Sequence, residues 1–223
     1  MLVIKIGGHL LFEKGRLRRN YIRSLLGAIK KLSREDDPIV VVGGGQAARE
    51  YVTAGRELGV NESLLDMLGI QASRVNAALL HTAYHGSPPA IPTTIEEAGR
   101  LSRLYKPLFV GGLQPAQSTT TVAALLAEAF NAPLYIATNV EGIFTDDPRR
   151  NPEAKLLKQV HISRLKEMFS SPSAAGGYAL LDPLTIAVLE RSKIPTRVFS
   201  GEPPENILRA VTKGDIGTLV TYR

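Results

Sequence analysis

Three stretches of this chain set glycines beside charged or hydroxyl side chains in the way that phosphate chemistry needs. Lys5 interrupts the apolar run from Leu2 to Ile6, just ahead of Gly7-Gly8-His9. Gly43-Gly44-Gly45 follows the apolar run from Pro38 to Val42, and Arg49 comes soon after it. Gly111-Gly112 follows Leu108 to Val110 and opens the segment Leu113-Gln114-Pro115-Ala116-Gln117-Ser118-Thr119, ahead of a helical pattern from Val122 to Phe130. A strand, a glycine turn and a helix N-terminus in succession aim backbone N–H groups and a partial positive charge at whatever lies above the strand. Glycine lets the backbone come close to an anion. The three turns would surround one crevice and could hold a chain of phosphates.

The elements that must position these turns read as alternating strands and helices. Apolar runs at Pro133 to Ala137, Pro195 to Phe199 and Gly217 to Thr221 add three strands to those already named. Pro88 to Pro92 reads as a short strand or turn. Helical spacing covers Arg18 to Leu32, Gln46 to Leu58, Asn61 to about His81, Thr94 to Leu104, Pro183 to Arg191 and Pro203 to Thr212. Asn61 is a plausible N-cap. Short continuous apolar strands alternating with helices imply a mostly parallel sheet covered on both faces, an α/β architecture. Ligands in such sheets sit beyond the carboxyl ends of the strands. The small-residue segment Ser170 to Gly177 reads as a mobile loop.

Composition narrows the chemistry. The chain has 223 residues, 44% apolar and 22% charged, without cysteine. Disulfides, thiolate zinc sites and a cysteine nucleophile are excluded. The net charge of +6 is scattered, with no long basic block, so nucleic acid is not an expected partner. No apolar run has the roughly 18 residues of a membrane span. No leader pattern opens the chain, and a cytoplasmic location is expected. There is no GxxxxGK[ST] motif. Gly43, Gly45 and Ala48 do satisfy GxGxx[GA], with Asp66 about twenty residues on. A dinucleotide site would place that acid at the end of a second strand. Here it falls inside a helical pattern, which argues against NAD(P).

The pieces VIKIGG, VVVGGGQAAREY, LLDMLGIQASRVNA, GGLQPAQSTTTVAALLAE, ATNVEGIFTDDPR and LLDPLTIAVLERSKI, in this order, resemble the amino acid kinase family. Within it they are most similar to the archaeal branch of uridylate (UMP) kinases. The resemblance runs from the first strand to the last. It implies one three-layer αβα domain over 1–223, with a nucleoside monophosphate part at roughly 1–130 and an ATP part at roughly 131–223. It implies phosphorylation of UMP by ATP with Mg²⁺, no metal held by the protein's own residues, and a homohexamer built as a trimer of dimers.

Carried over by residue, the resemblance makes Lys5 the lysine that bridges the transferring phosphoryl group. Gly8, His9, Gly45, Arg49, Thr138, Asn139, Phe144 and Asp147 fall to ATP. Gly44, Asp66 and the segment Leu113, Gln114, Pro115, Ala116, Gln117, Ser118 and Thr119 fall to UMP. Asp66 suits the ribose, because a carboxylate accepts from two adjacent hydroxyls and would repel a phosphate. His9 stands where relatives commonly have serine; it could donate to a phosphate or point to solvent. Phe144 replaces a frequent tyrosine, and Asp146 is as good a candidate as Asp147. Asp182 could face metal or phosphate, although an N-cap role ahead of Pro183 explains it as well. Thr120 occupies a position where many relatives carry aspartate. Two other readings stay open: a kinase of this fold with a different small-molecule acceptor, and a nucleotide-binding sensor without turnover.

Overall fold

The computed structural model describes residues 1–148, 150–169 and 180–222; the segment Ser170 to Gly177, read as a mobile loop, lies outside the described residues. The chain begins with β1 (Leu2–Ile6), a 3₁₀ turn (Gly8–Leu11), a small hairpin of β2 (Phe12–Glu13) and β3 (Arg16–Leu17), and α1 (Arg19–Leu32). Then come β4 (Pro38–Val42), α2 (Gly45–Glu57), α3 (Glu62–His85), α4 (Ile95–Leu101), β5 (Leu108–Val110) and α5 (Thr119–Ala129). The second half holds β6 (Leu134–Thr138), β7 (Gln159–His161), α6 (Ile162–Phe169), α7 (Pro183–Ser192) and β8 (Thr196–Ser200). It closes with α8 (Asn206–Leu208), which widens into a π turn (Arg209–Lys213), and β9 (Thr218–Thr221).

Seven strands form one sheet in the order β5-β4-β1-β6-β8-β9-β7. The first five are mutually parallel, and β9 runs antiparallel to β8. Side chains alternate across a strand, so each face of β1 feeds a different core. Leu2, Ile4 and Ile6 pack with α1, Ala77 and Leu80 of α3, and Phe199. Val3 packs on the other face with α5 and α7. The result is three layers, helix on sheet on helix, as expected. Lys5 shares the Val3 face and stands at the carboxyl end of the central strand, between Val41 of β4 and Ile136 of β6. The chain crosses from one side of β1 to the other here, and a crevice opens at such a switch point.

Element ends differ from the sequence reading where caps or packing decide them. Helix α5 starts at Thr119 rather than Val122, because the Ser118 side chain accepts from the N–H groups of Thr120 and Thr121. Helix α3 continues four residues past His81, to a cap at Gly86. Its last turn is held by a cluster of rings. The His81 ring centroid lies 4.7 Å from that of His85 and 4.8 Å from that of Tyr105. His85 Nε2 donates to the Pro107 carbonyl at 2.9 Å. Pro88 to Pro92 forms no strand. The hairpin β2–β3 and the unit β7–α6 were not anticipated, since two- and three-residue strands are too short to display a period. No helix among the described residues is long and apolar enough to cross a membrane.

His81 is fully buried and its Nδ1 has no hydrogen-bond partner. Burial, and then the neighbouring His85, lower its pKa. The folded state therefore binds fewer protons here than the unfolded chain, and stability is lost as pH falls below the ordinary histidine value of about 6.5. The urea midpoint should drop between about pH 7 and pH 5, and His81→Leu should flatten that slope. An unchanged slope in the variant would remove His81 as its source.

Candidate active site

The turns after β1 and β4 touch each other through their backbones. A Cβ on Gly8 would stand 2.2 Å from Gly45 N and 2.5 Å from Gly43 O, which no side chain tolerates. Close approach alone thus demands a glycine at position 8. Gly44 is right-handed helical (φ −70°, ψ −24°) and Gly45 is left-handed (φ +66°). Successive residues of that pair turn their N–H groups into one concavity, a nest that suits an anion. Among the described residues no backbone carbonyl accepts from the N–H groups of Gly8, His9, Gly44 or Gly45. The nest opens α2, whose dipole adds positive potential. Because α2 begins at Gly45, Arg49 starts its second turn; it is exposed and carries no ion pair among the described residues.

Helix α3 holds two of the glycine turns in place. Asn76 donates from Nδ2 to Gly43 O (2.9 Å) and Gly44 O (3.1 Å). Ser73 Oγ accepts from Gly112 N at 2.6 Å. Arg74 donates to Gly112 O (2.9 Å) and Leu113 O (3.3 Å). About two turns nearer the start of the helix, Asp66 Oδ2 accepts from Ala116 N at 2.7 Å. Ala116 has φ +60° and follows Pro115 in a turn closed by Gln117 N to Gln114 O at 3.4 Å. A left-handed alanine costs roughly 1–2 kcal/mol, and the Asp66 carboxylate offsets part of it. Asp66 therefore fastens the polar loop with one oxygen and leaves the other exposed. The side-chain amides of Gln114 and Gln117 make no hydrogen bond among the described residues, and Leu113 is buried beneath them.

The N-termini of α5 and α7 are joined by Asp182. It caps α7, accepting from Thr185 N at 2.8 Å. It also accepts from Thr121 Oγ1 (2.8 Å), Thr185 Oγ1 (2.8 Å) and Ser118 Oγ (2.6 Å). Each oxygen takes two donors, which uses the roughly four lone-pair positions of a carboxylate. Burial pushes its pKa up, but these hydrogen bonds outweigh burial and hold it below the ordinary value. Asp182 is thus an ionised tie rather than an open metal ligand. Ser118 is likewise spent on capping and on Asp182, whereas no hydrogen bond to the Thr119 hydroxyl forms among the described residues.

Lys5 is half-buried. Burial lowers its pKa to about 8, opposed by the charge of Asp182. It remains an ammonium at neutral pH, with no side chain bonded to it among the described residues. His9 does not point to solvent. Its Nε2 is buried without a partner, and burial, then Lys5 and Arg49, lower its pKa to about 4. A neutral imidazole is the form that fits beside two cations.

Beyond β6 lies the second group of predicted residues. Gly7 N donates to Ala137 O, and Gly201 N to Thr138 O, so this region adjoins the β1 turn. Thr138 Oγ1 reaches Asn139 Oδ1 at 3.4 Å. Phe144 is half-exposed and bridges to Leu156. Asp146 is committed to the turn, accepting from Asp147 N (2.7 Å) and Asn151 Nδ2 (3.0 Å), while Asp147 is buried. Beside this loop a cavity of about 360 Å³ is lined by Glu141, Leu156, Ser200, Glu202, Asn206 and Gly217. Sequence reasoning missed that cavity, since its walls come from distant segments. It also missed Ser73, Asn76 and Thr185, and the part Thr121 of the polar loop plays in bonding to Asp182. Asn76 carried one signal, an amide within the apolar spacing of Leu65, Ala77 and Leu80. Among the described residues no three His, Asp or Glu side chains converge into a metal cage.

A half-buried lysine, an anion nest and two helix N-termini at the ends of parallel strands define a phosphate-handling α/β protein. The description of the amino acid kinase family matches residues 1–200, and the chain belongs to that family. It is 48% identical to the uridylate kinase of Thermofilum pendens over 215 residues, 95% of this chain and 93% of that one. It is 43% identical to the uridylate kinase of Sulfurisphaera tokodaii over 224 residues, 98% of each chain. The crystal structure of uridylate kinase from Archaeoglobus fulgidus matches with a TM-score of 0.88 and 37% identity, covering 99% of this chain and 100% of that one.

Asp182→Asn would set an amide N–H₂ against two donors in a half-buried network. Such a loss should cost about 2–4 kcal/mol in urea unfolding. A cost below about 0.5 kcal/mol, the range of ordinary surface substitutions, would show that the network does not tie α5 to α7.

Proposed function

We propose that this chain is a UMP kinase: it transfers the γ-phosphoryl group of MgATP to UMP and yields UDP and ADP. The observation that carries the reading is the Gly44–Gly45 nest at the strand ends shared with Lys5. Beside it lie the loop that Asp66 and Arg74 fasten and, past β6, the cavity lined by Glu141, Ser200 and Glu202. Family membership and the uridylate kinases among its relatives point the same way.

On this reading UMP occupies the part roughly 1–130 and ATP the part roughly 131–223. Leu113 to Thr119, Gly44 and Asp66 hold UMP. Gln114 and Gln117 offer free amides to the uracil edge, and the exposed oxygen of Asp66 accepts from the ribose. ATP enters the cavity lined by Glu141, Ser200 and Glu202, in reach of the loop that carries Thr138, Asn139, Phe144 and Asp147. Its phosphates extend towards Gly8, His9, Gly45 and Arg49. The metal arrives on the phosphates, as Mg²⁺ commonly does, with few protein carboxylates to add. A UMP phosphate oxygen attacks the γ-phosphorus in line, and the bond to the β,γ-bridging oxygen of ATP breaks. No general base is needed, because the second pKa of a phosphate monoester is about 6. Lys5 and the nest N–H groups neutralise charge spread over the phosphoryl oxygens in a loose transition state. Asp182 keeps Lys5 charged and holds the α5 and α7 N-termini in register. Thr120 brings no charge, so positioning and these donors carry catalysis.

The enzyme would serve pyrimidine nucleotide synthesis in the cytoplasm, without nucleic acid or membrane as partner. It would assemble with itself, as a trimer of dimers. Along α3, Leu64 is 55% and Val75 67% exposed, with Met67, Leu68 and Leu79 partly so. A second copy would cover this apolar stripe.

ADP release should be selective for UMP over CMP and weaker with dUMP, which lacks a hydroxyl for Asp66. Lys5→Ala should lose at least about 100-fold in kcat, the scale of removing one such donor. Because Lys5 titrates near 8, wild-type kcat/KM should fall above about that pH, with the fall absent from Lys5→Ala. Nucleotide binding without turnover on any acceptor would overturn the assignment in favour of a sensor. Light scattering should give six times the 24.1 kDa chain mass. Val75→Glu should yield a smaller species, and a wild-type monomer would overturn the assembly.

A further inference from the structure

The turn after β4 contains two peptide groups that one side chain holds together; the Gly44 carbonyl also accepts a long bond from Ala48 N at 3.4 Å, whereas Asn76 is the donor to both. Asn76 is 4% exposed and reaches Gly43 O and Gly44 O with the same nitrogen. Its amide carries two hydrogens, enough to serve both carbonyls. In a trans peptide the carbonyl of one residue and the N–H of the next point in opposite directions. Drawing both carbonyls onto α3 therefore turns the N–H groups of Gly44 and Gly45 away from the helix. Those are the two groups that form the nest and that no backbone carbonyl among the described residues accepts from.

We propose that Asn76 is the positioning residue of the phosphoryl site. It touches neither nucleotide. It locks the Gly44–Gly45 nest with its N–H groups outward and keeps two carbonyl oxygens from turning towards the phosphates. Glycines at 43, 44 and 45 leave the backbone free to rotate; Ala48 N restrains only the Gly44 carbonyl, at 3.4 Å, so Asn76 is what fixes the Gly43 carbonyl and ties the two together. The Gly8 contact restrains the turn from the other side but bonds to neither carbonyl. The kinetic consequences rest on the UMP kinase reading, whereas anion binding by the nest does not.

The experiment compares wild type with Asn76→Ala and Asn76→Asp, all checked for folding by circular dichroism. At pH 8, kcat with UMP and MgATP should fall about 30-fold in both, with each KM moving less than about threefold, because the nucleoside contacts lie elsewhere. Asn76→Asp distinguishes positioning from bulk destabilisation. Its carboxylate cannot donate; burial against two carbonyl oxygens raises its pKa well above the ordinary value of about 3.9, and the acid that forms on acidification supplies one O–H. Activity relative to wild type should therefore rise at least about fivefold from pH 8 to pH 5.5 in Asn76→Asp and stay flat in Asn76→Ala. Calorimetric binding of inorganic tripolyphosphate should weaken about tenfold in both variants at pH 8. That readout holds even if UMP proves not to be the acceptor. Activities within twofold of wild type, with unchanged tripolyphosphate affinity, would overturn the proposal. So would loss of activity tracking only the folded fraction, without recovery of Asn76→Asp at low pH.

Discussion

The backbones that leave β1 and β4 meet at a distance that excludes every Cβ, with Gly8 against Gly43 and Gly45. That contact follows from the parallel pairing of the two strands, which brings Lys5 beside Val41 and ends both strands at one level. Once two glycine turns share one place, their N–H groups cannot all be satisfied by protein carbonyls, and they face the crevice instead. Unpaired donors in a half-buried site are costly in isolation. An anion bound there removes the cost. The most constrained point of the fold is therefore also where its backbone donors are left open.

Charge is arranged around that point by burial more than by ion pairing. Lys5 breaks the apolar pattern of the central strand and sits half-buried, which brings its pKa down to about 8. Asp182 opposes that shift while its own lone pairs are spent on Ser118, Thr121 and Thr185. A carboxylate so occupied contributes its charge to the site without competing for the ligand. The ion pairs of the surface, such as Arg56 with Glu62 and Lys106 with Asp37, are exposed and far weaker determinants of the structure.

Helix α3 has three tasks along its length. Near its start Asp66 secures the polar loop; in its middle Ser73, Arg74 and Asn76 hold two glycine turns; at its end His81 and His85 pack it onto the base of β5. Its outer side carries the exposed apolar residues. A change in how that side is covered would act on the same rigid body that orients the site.

The sequence by itself determined the layers of this protein. Continuous apolar runs ending in glycine made β1, β4 and β5 legible, and Asp182-Pro183 announced the start of α7, because caps and strand periodicity are local properties. Lys5 stood out for the same reason, as a charge in an apolar run. Only the tertiary structure decided what the polar residues do. Asp66 read as a sugar ligand, and the structure shows it clasping the polar loop; Asp182 read as an N-cap or a group facing metal or phosphate, and the structure shows the cap and four donors on its oxygens. His9 was balanced between phosphate and solvent until burial decided its charge. Asn76 and Thr185 went unnoticed, and Thr121 read only as one hydroxyl of a polar loop, since a buried polar side chain draws its meaning from partners such as Gly43 for Asn76 and Thr121 for Thr185, tens of residues away. Spacing along a chain reports the direction in which a side chain leaves its own element, but the atom waiting at the other end is set by how the elements pack.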